Sequence, residues 1–426
     1  MLKAFVNAFR IPDLRRKLLF TLLIIAVYRF GSAIPTPGVD FQLLRNAVEG
    51  QQGGGLVSLI NVFSGGALTR MAIFALGIMP YITSSIIMQL LAVVIPRLEA
   101  WQREGEQGRK KIVQWTRYVT VVLAILQSTG LTVLARNGTL FGGVNVIPNA
   151  STGRIVLIVM TLTAGTALIM WLGELITQRG IGNGMSLLIY TSVISQLPSE
   201  GSIILGTNGL GVFIGVIALG LLITVAVVYI EQGQRRIPVQ YARRQVGRRV
   251  YGGQSTYIPL KVNQAGVIPI IFASSLMYIP SLAASITTWP WLVRISDQYL
   301  SNTGSYVYIS IFGLLVVFFA YFYTAIAFNP VEVSDNMKRY GGFIPGIRPG
   351  RQTAEYLDKV LTRITFPGSL YLAAIAVIPF IALAVANVQA FPLGGTSLLI
   401  VVGVALETMK QVESQLMMRN YEGFIA

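Results

Sequence analysis

Residues 77–88 read Gly-Ile-Met-Pro-Tyr-Ile-Thr-Ser-Ser-Ile-Ile-Met, and residues 266–277 read Gly-Val-Ile-Pro-Ile-Ile-Phe-Ala-Ser-Ser-Leu-Met. The two stretches share Gly, Pro, Ile, Ser and Met at the same offsets, and in both a proline interrupts an apolar run. A shorter echo links residues 184–189, Gly-Met-Ser-Leu-Leu-Ile, with residues 395–400, Gly-Thr-Ser-Leu-Leu-Ile. Two echoes in the same order predict a chain built from two related halves.

The composition indicates a protein that crosses a membrane many times. Of its 426 residues, 54% are hydrophobic and 12% are charged, whereas a soluble domain carries about 25% charged residues. The sequence contains no Cys and no His, which excludes disulfides and thiolate nucleophiles and removes the commonest neutral-pH acid–base group. We therefore expect a protein that is not an enzyme and that binds neither a cofactor nor a metal.

Apolar runs of roughly 20 residues predict ten membrane spans. They lie near residues 18–34, 71–95, 116–135, 155–177, 184–198, 210–230, 264–286, 306–328, 364–387 and 394–412. The longer echo then falls in the second and seventh spans, and the shorter echo in the fifth and tenth. Because halves with an odd number of spans have opposite orientations, we predict an inverted repeat. The fold class is an all-α membrane protein with halves at residues 1–200 and 201–426.

Positive charge is concentrated in alternate loops. Lys and Arg cluster before the first span and after the second, sixth and eighth spans, whereas the loops on the other side carry only Arg45, Arg70, Arg136, Arg154 and Arg294. The positive-inside rule then predicts that both termini are cytoplasmic, and it accounts for most of the basic charge without nucleic acid. Residues 31–33, Gly-Ser-Ala, would also fit a signal-peptide cleavage site, but we favour a retained first span.

The repeated segments predict an apolar gate. In inverted-repeat membrane proteins, segments interrupted by Pro or Gly point to the transport path. The spans are nearly free of the ionisable groups that a solute or ion transporter uses. The repeated segments offer isoleucines instead, namely Ile78, Ile82, Ile189, Ile271 and Ile400. Such a ring holds back water and ions without bonding to a particular cargo, which suits a large or varied substrate. The alternatives are an inverted-repeat secondary transporter for a small solute and a membrane-anchored RNA-binding protein.

Motifs along the whole chain resemble those of the SecY family of protein-conducting channels. They are Gly-Gly-Ala-Leu at 65–68, Phe-Ala-Leu-Gly-Ile-Met-Pro-Tyr-Ile at 74–82, Arg-Gly-Ile-Gly-Asn-Gly at 179–184, Arg-Arg-Ile-Pro at 235–238, Tyr-Ala-Arg-Arg at 241–244, Gly-Arg-Arg-Val-Tyr at 247–251, Gly-Ile-Arg-Pro-Gly at 346–350 and Gly-Gly-Thr-Ser-Leu-Leu-Ile at 394–400. The resemblance implies ten helices in two halves around an hourglass pore. It also implies a channel that passes unfolded secretory polypeptides across the cytoplasmic membrane and releases hydrophobic segments sideways into lipid.

The resemblance further implies three gating features. The pore ring would be Ile78, Ile82, Met185, Ile189, Ile271 and Ile400, and Met185 departs from the branched aliphatic residue usual in the family. The plug, over about residues 56–70, would include Leu56, Leu59, Ile60, Val62, Phe63, Ser64, Gly65 and Gly66. By length alone, that apolar stretch is too short to span and is either re-entrant or interfacial. Gln127 and Asn263 would latch a lateral gate, although polar residues at membrane depth commonly form only inter-helix hydrogen bonds.

Two basic loops, at about residues 231–261 and 329–363, are candidate partner-binding surfaces. Their arginines are Arg235, Arg236, Arg243, Arg244, Arg248, Arg249, Arg348 and Arg351. The first loop carries more arginine than a topology signal needs, and guanidinium groups suit phosphates and carboxylates. The resemblance implies that the ribosome and the SecA ATPase bind here, with SecE and SecG as small membrane subunits. Its other expected partners are signal sequences, unfolded precursors and membrane lipid.

Overall fold

The structure is a computed structural model, and it describes residues 9, 11–49, 64–138, 140–141, 143–148, 151–241, 244–246, 249–251, 255–286, 291, 294, 299, 305–386 and 395–422. Its helices are α1 (Pro12–Gly31), α2 (Phe41–Glu49), α3 (Met79–Val94), α4 (Pro96–Arg103), α5 (Glu106–Arg136), α6 (Thr152–Arg179), α7 (Gly184–Glu231), α8 (Ile268–Ile286), α9 (Tyr306–Ala327), α10 (Pro330–Arg339), α11 (Arg351–Ala386) and α12 (Gly395–Glu422). The strands are β1 (Gln234–Tyr241), β2 (Arg244–Val246), β3 (Arg249–Tyr251), β4 (Ser255–Lys261) and β5 (Gly342–Phe343).

A helix coincides with each of the ten predicted spans. The fifth and sixth spans are joined in α7, and they meet at Gly209, where the backbone leaves the helical conformation with φ 79°. Among the described residues, five helices are long and apolar enough to cross a membrane, and six if the bent pair α3 and α4 is one span. The other predicted spans coincide with shorter or more polar helices, so the structure agrees with a ten-span, multi-pass membrane protein.

The longer sequence echo folds into the same local structure twice. Gly77 and Gly266 both adopt left-handed backbone, with φ 57° and 60°. Three residues after each glycine stands a proline at the second position of a helix, α3 or α8. The next backbone bonds also match, because the amide of Ile82 donates to the carbonyl of Ile78 at 3.1 Å and that of Ile271 donates to Val267 at 3.3 Å.

The two prolines that interrupt the apolar runs stand at helix starts and not within helices. Pro80 and Pro269 stand in the first turn of α3 and α8, where an amide hydrogen would have no intrahelical partner and proline is therefore tolerated. The interruption instead lies upstream, in glycine turns that begin the helices. The repeated segments are helix starts, and their isoleucines are first-turn residues.

The helices pack in the same order in each half. Helix α3 contacts α5, α5 contacts α6, and α6 contacts α7; likewise α8 contacts α9, α9 contacts α11, and α11 contacts α12. Contacts also join the two sets of helices: α3 packs on α8, and α12 contacts α7 near its start, where a Cβ atom on Gly182 would lie 3.3 Å from Oγ1 of Thr408. The division into halves at residues 1–200 and 201–426 stays a prediction. The predicted boundary at residue 200 lies within α7, and the break in that helix comes at Gly209.

The basic loops contain strands, which the sequence analysis did not predict. Strand β1 pairs antiparallel with β4 and with β5, and β2 pairs antiparallel with β3. Alternate residues of β1 point inward, so that Ile237 and Val239 join Leu260, Met337 and Leu357 in a small core distinct from the main hydrophobic cluster. The two loops together form one folded unit with its own hydrophobic core, and we call it the basic unit.

An ion pair joins α5 to α6. The guanidinium of Arg117 donates two hydrogen bonds to the carboxylate of Glu174, and the Nε–Oε1 distance is 2.8 Å. The side chain of Glu174 is 15% exposed and that of Arg117 is 37% exposed, so water screens this pair less than it screens a fully exposed one. We expect Glu174→Ala to lower the free energy of unfolding by about 2 kcal/mol, between the values for exposed and buried pairs.

The matched control for this prediction is Glu355→Ala. It removes an ion pair with Arg351 whose side chains are 91% and 62% exposed, and we expect a change below roughly 0.5 kcal/mol. Thermal unfolding of the purified protein in lipid nanodiscs measures both variants. Equal shifts for the two variants would contradict a stabilising role for the Arg117–Glu174 pair.

Candidate functional site

The residues of the predicted pore ring lie at the starts of four helices. Ile78 precedes α3, and Ile82 is its fourth residue; Ile271 is the fourth residue of α8. Met185 and Ile189 are the second and sixth residues of α7, and Ile400 is the sixth residue of α12. Because α3 and residues 184–200 of α7 belong to the predicted first half and α8 and α12 to the second, the predicted ring straddles the contact between the halves.

The structure buries the five isoleucines in one hydrophobic cluster. The exposed fraction of the residue is 2% for Ile78, 7% for Ile82, 3% for Ile189, 6% for Ile271 and 0% for Ile400. Equivalent positions of the repeat are buried alike, as Ile82 and Ile271 illustrate. The cluster also includes many other apolar residues of both halves. Such a cluster excludes water, and it forms no hydrogen bond that would have to be broken when the halves separate.

Met185 is half-buried and packs at the edge of this cluster. Its sulfur lies against Gly173 of α6, in the space that a Cβ atom on Gly173 would occupy. The Met185 side chain therefore packs against α6, a helix of the same predicted half. A flexible thioether fills such an irregular space more easily than a branched side chain does.

A glycine-rich turn, residues 180–183, positions Met185 and Ile189. The side chain of Asn183 caps α7 by accepting the Met185 amide at 3.1 Å, and the Gly184 amide donates to the hydroxyl of Thr177 at 2.9 Å. A Cβ atom on Gly184 would lie 1.9 Å from the carbonyl oxygen of Gly173, so only glycine permits this approach of α7 to α6. The stretch is a tight turn that joins α6 to α7.

The predicted plug lies largely outside the described residues. Leu56, Leu59, Ile60, Val62 and Phe63 fall among residues 50–63, which the structure does not describe. Ser64, Gly65 and Gly66 are described, and Ser64 is fully buried. Its hydroxyl accepts the amide of Leu68 at 3.2 Å, and both glycines have left-handed backbone. The plug assignment stays a prediction.

The two predicted gate residues are buried, Gln127 to 5% and Asn263 to 4% exposure. Asn263 donates both to the carboxylate of Glu231 and to the carbonyl of Gly266, the latter at 3.0 Å. It thereby ties the end of α7 to the glycine turn that starts α8. Helix α5, which carries Gln127, contacts α8. A latch between the two residues stays a prediction.

The basic unit presents part of the predicted arginine set. Arg235 and Arg236 are exposed on β1, and Arg348 and Arg351 are exposed at the start of α11. The Arg236 guanidinium lies 4.8 Å from the ring centroid of Tyr257 on the paired strand, a cation–π contact that orients it. Arg244 and Arg249 lie in β2 and β3, whereas Arg243 and Arg248 lie outside the described residues.

One polar contact at membrane depth was missed by the sequence analysis. Arg29, which lies inside the first predicted span, donates to the Gly65 carbonyl and to the hydroxyl of Ser195. The signal available in the sequence was the charge itself, since an ionisable residue in a span usually has a function and a partner. Neither partner is near Arg29 in the sequence.

Comparison with known proteins shows the family to which the chain belongs. The family model described as SecY matches residues 72–409. Protein translocase subunit SecY of Streptomyces scabiei is 57% identical over 440 residues, covering all of both chains. The proteins of that name from Streptomyces coelicolor and Mycobacterium tuberculosis are 58% and 55% identical, again with full coverage of both chains.

Solved structures have the same fold at low sequence identity. A structure described as a protein-conducting channel superposes with a TM-score of 0.66 at 17% identity, covering 93% of this chain and 91% of that one. Sec61 in a canine ribosome–channel complex superposes with a TM-score of 0.61 at 17% identity and the same coverage.

Proposed function

This chain belongs to the SecY family and is a protein-conducting channel of the translocase, and we propose that its pore is closed by the ring of Ile78, Ile82, Met185, Ile189, Ile271 and Ile400. One observation carries this assignment. The two sequence echoes form matched helix starts in opposite halves, and the isoleucines that they share are buried together where the halves meet. A movement that separates the halves thus opens the ring, and closure restores an apolar seal.

The cargo is an unfolded secretory polypeptide, and hydrophobic segments leave sideways into lipid. The contact of α8 with α3 and α5 is the seam through which they leave. A hydrophobic segment gains about 0.8 kcal/mol for each methylene group that it buries in lipid, so a segment of many apolar residues favours an open seam. Gln127 and Asn263 latch this seam in the closed state, and residues 56–66 act as the plug.

The partners follow from the basic unit and from topology. SecA and the ribosome bind the exposed arginines of the basic unit, whose guanidinium groups suit acidic protein surfaces and RNA phosphates. The ribosome complex of the canine relative supports that part of the proposal. SecE and SecG are the expected small membrane subunits. The distribution of Lys and Arg supports a cytoplasmic-membrane location with both termini in the cytoplasm.

A single cysteine at residue 271 tests the proposed pore. The chain has no native Cys, so Ile271→Cys creates one thiol at the proposed ring. We expect this thiol to crosslink to a secretory precursor stalled midway through reconstituted vesicles, and only when the precursor carries a functional signal sequence. Leu276→Cys is the control, because Leu276 lies on the same helix and is 42% exposed.

Two outcomes would reject the ring assignment. The first is an absent crosslink at residue 271 in a variant that still exports the precursor. The second is equal crosslinking at residues 271 and 276, which would mean that the cargo passes elsewhere or contacts α8 without selectivity.

A further inference from the structure

Arg29 in α1 binds across to two other parts of the N-terminal half. One guanidinium nitrogen, Nη1, donates to the carbonyl oxygen of Gly65 at 3.0 Å and to the hydroxyl of Ser195 on α7 at 2.8 Å. A charge within an apolar span is costly unless it has such partners. The proposed ring makes no use of Arg29, so this contact needs its own explanation.

The neighbouring residue strengthens the same joint. The hydroxyl of Tyr28 hydrogen-bonds that of Ser192 at 2.6 Å, and Tyr28 is 1% exposed. Successive residues of α1 therefore bind two serines three positions apart on α7. Gly65 is enclosed between them, because a Cβ atom there would lie 2.9 Å from Nη1 of Arg29 and 3.1 Å from Cα of Ser192.

From Gly65, a hydrogen-bonded chain of turns leads to the proposed ring. Within residues 64–78, the amide of Ala72 donates to the carbonyl of Ala67 at 2.8 Å, and the amide of Gly77 donates to that of Phe74 at 2.8 Å. The segment ends at Ile78, whose carbonyl accepts the amide of Ile82. Residues 67, 68, 71 and 72 are each 0% exposed, so this segment has little room to deform.

The same segment is also held by the residues that follow α1. The amide of Ile73 donates to the carbonyl of Ile34, and the amide of Thr36 donates to the carbonyl of Met71, both at 2.9 Å. Arg29 therefore provides one of several attachments between the α1 region and residues 64–78, and the stacking of Tyr28 on Phe74, with ring centroids 5.7 Å apart, is another. Arg29 is the residue whose single side chain hydrogen-bonds both to this segment and to α7, which carries Met185 and Ile189.

We propose that Arg29 is a positioning residue for the channel's seal. Its guanidinium joins Gly65 to α7, and this joint sets where α3 begins and where Ile78 and Ile82 lie relative to Ile189. The inference rests on the proposed pore ring and adds a residue that never touches the cargo. Without the joint, residues 64–78 shift and the seal closes imperfectly.

Arg29→Gln tests the inference in the full chain, purified with its membrane subunits and reconstituted in lipid vesicles. We expect the resting halide leak per folded channel to rise about tenfold, which corresponds to about 1.4 kcal/mol, the worth of one hydrogen bond to a charged group. Ser195→Ala removes one acceptor and keeps the charge, so we expect a rise of about threefold. This milder variant serves as the test if Arg29→Gln does not accumulate.

A second glycine provides a matched control. Gly65 and Gly105 both have left-handed backbone, with φ 65° and 70°, so alanine strains both positions alike. Alanine at residue 65 meets Arg29 and Ser192, whereas nothing lies within 4 Å of a Cβ atom at residue 105, between α4 and α5. We expect Gly65→Ala to leak and Gly105→Ala to leak far less.

The outcomes separate this inference from the proposed function. A leak within twofold of the parent for both Arg29→Gln and Ser195→Ala overturns the positioning role, and a lower thermal midpoint without leak assigns Arg29 to stability alone. If that happens while Ile271→Cys still crosslinks the precursor, the ring stands without Arg29. If the variants leak but residue 271 never meets the precursor, Arg29 acts on another seal and the inference as stated is wrong.

Discussion

Ile400→Asn is expected to make the resting channel leak ions at least roughly tenfold more than the parent, and to relax its demand for a functional signal sequence. Ile400 is 0% exposed, and an amide placed there must hydrogen-bond to water or remain unsatisfied, at a cost of about 1–3 kcal/mol. Water drawn to the amide defeats a seal that works by excluding water. Because the closed state loses stability, defective signal sequences suffice to open the channel. Ile82→Asn is expected to act in the same way.

The control for this prediction is Val404→Asn. Val404 lies one turn further along α12, is 2% exposed and belongs to the same hydrophobic cluster. Both variants bury an amide in the same helix, so their thermal midpoints should fall similarly. Only the variant at residue 400 should leak, as measured by halide efflux from vesicles and by export of a signal-defective precursor. Equal leak from both would assign the seal to the cluster as a whole, and no leak from Ile400→Asn would remove the ring assignment.

Gly165→Ala is expected to destabilise the protein by about 3 kcal/mol, the upper end of the usual range for overpacking a core. A Cβ atom at residue 165 of α6 would lie 2.1 Å from the carbonyl oxygen of Ile73. The carbonyl oxygen is a backbone atom of the buried segment 64–78. Neither this segment nor α6 can therefore move aside without a loss of packing. Helix α6 would have to move away from the segment that leads into α3.

Gly153→Ala on the same helix is the matched control. Nothing lies within 4 Å of a Cβ atom there, and alanine is a better helix former than glycine by up to about 1 kcal/mol. We therefore expect no loss of stability, or a small gain, in thermal unfolding of the purified protein. The two substitutions are chemically identical, so a similar fall in midpoint for both would contradict the close contact of α6 with Ile73.

The sequence was a good guide to what repeats. Apolar runs located the helices, and the two echoes located the pairs α3 with α8 and α7 with α12. Burial of Ile82 and Ile271 at 7% and 6% exposure agrees with their equivalent places in the repeat. This worked because solvation in lipid and the conformation of a glycine turn are local properties, which a few residues encode by themselves.

Two local features were misread or overlooked. The second span was predicted over residues 71–95, whereas α3 begins only at Met79, because hydropathy does not mark where a helix begins inside an apolar run. The strands of the basic unit were overlooked because the two loops were considered only for their positive charge. In β1, Ile237 and Val239 alternate with Arg236, Pro238 and Gln240, and this period-two pattern was the available signal.

The sequence by itself determined the class of protein, the inverted repeat and the isoleucines common to its halves, because composition and periodicity act through short stretches of chain. Only the tertiary structure decided which groups meet. The Arg29 guanidinium has its acceptors 36 and 166 residues away in the sequence, and Gly165 faces a carbonyl that no pattern could nominate. Such contacts depend on the relative placement of whole helices. That placement is a property of all the packing interfaces together and of no single segment.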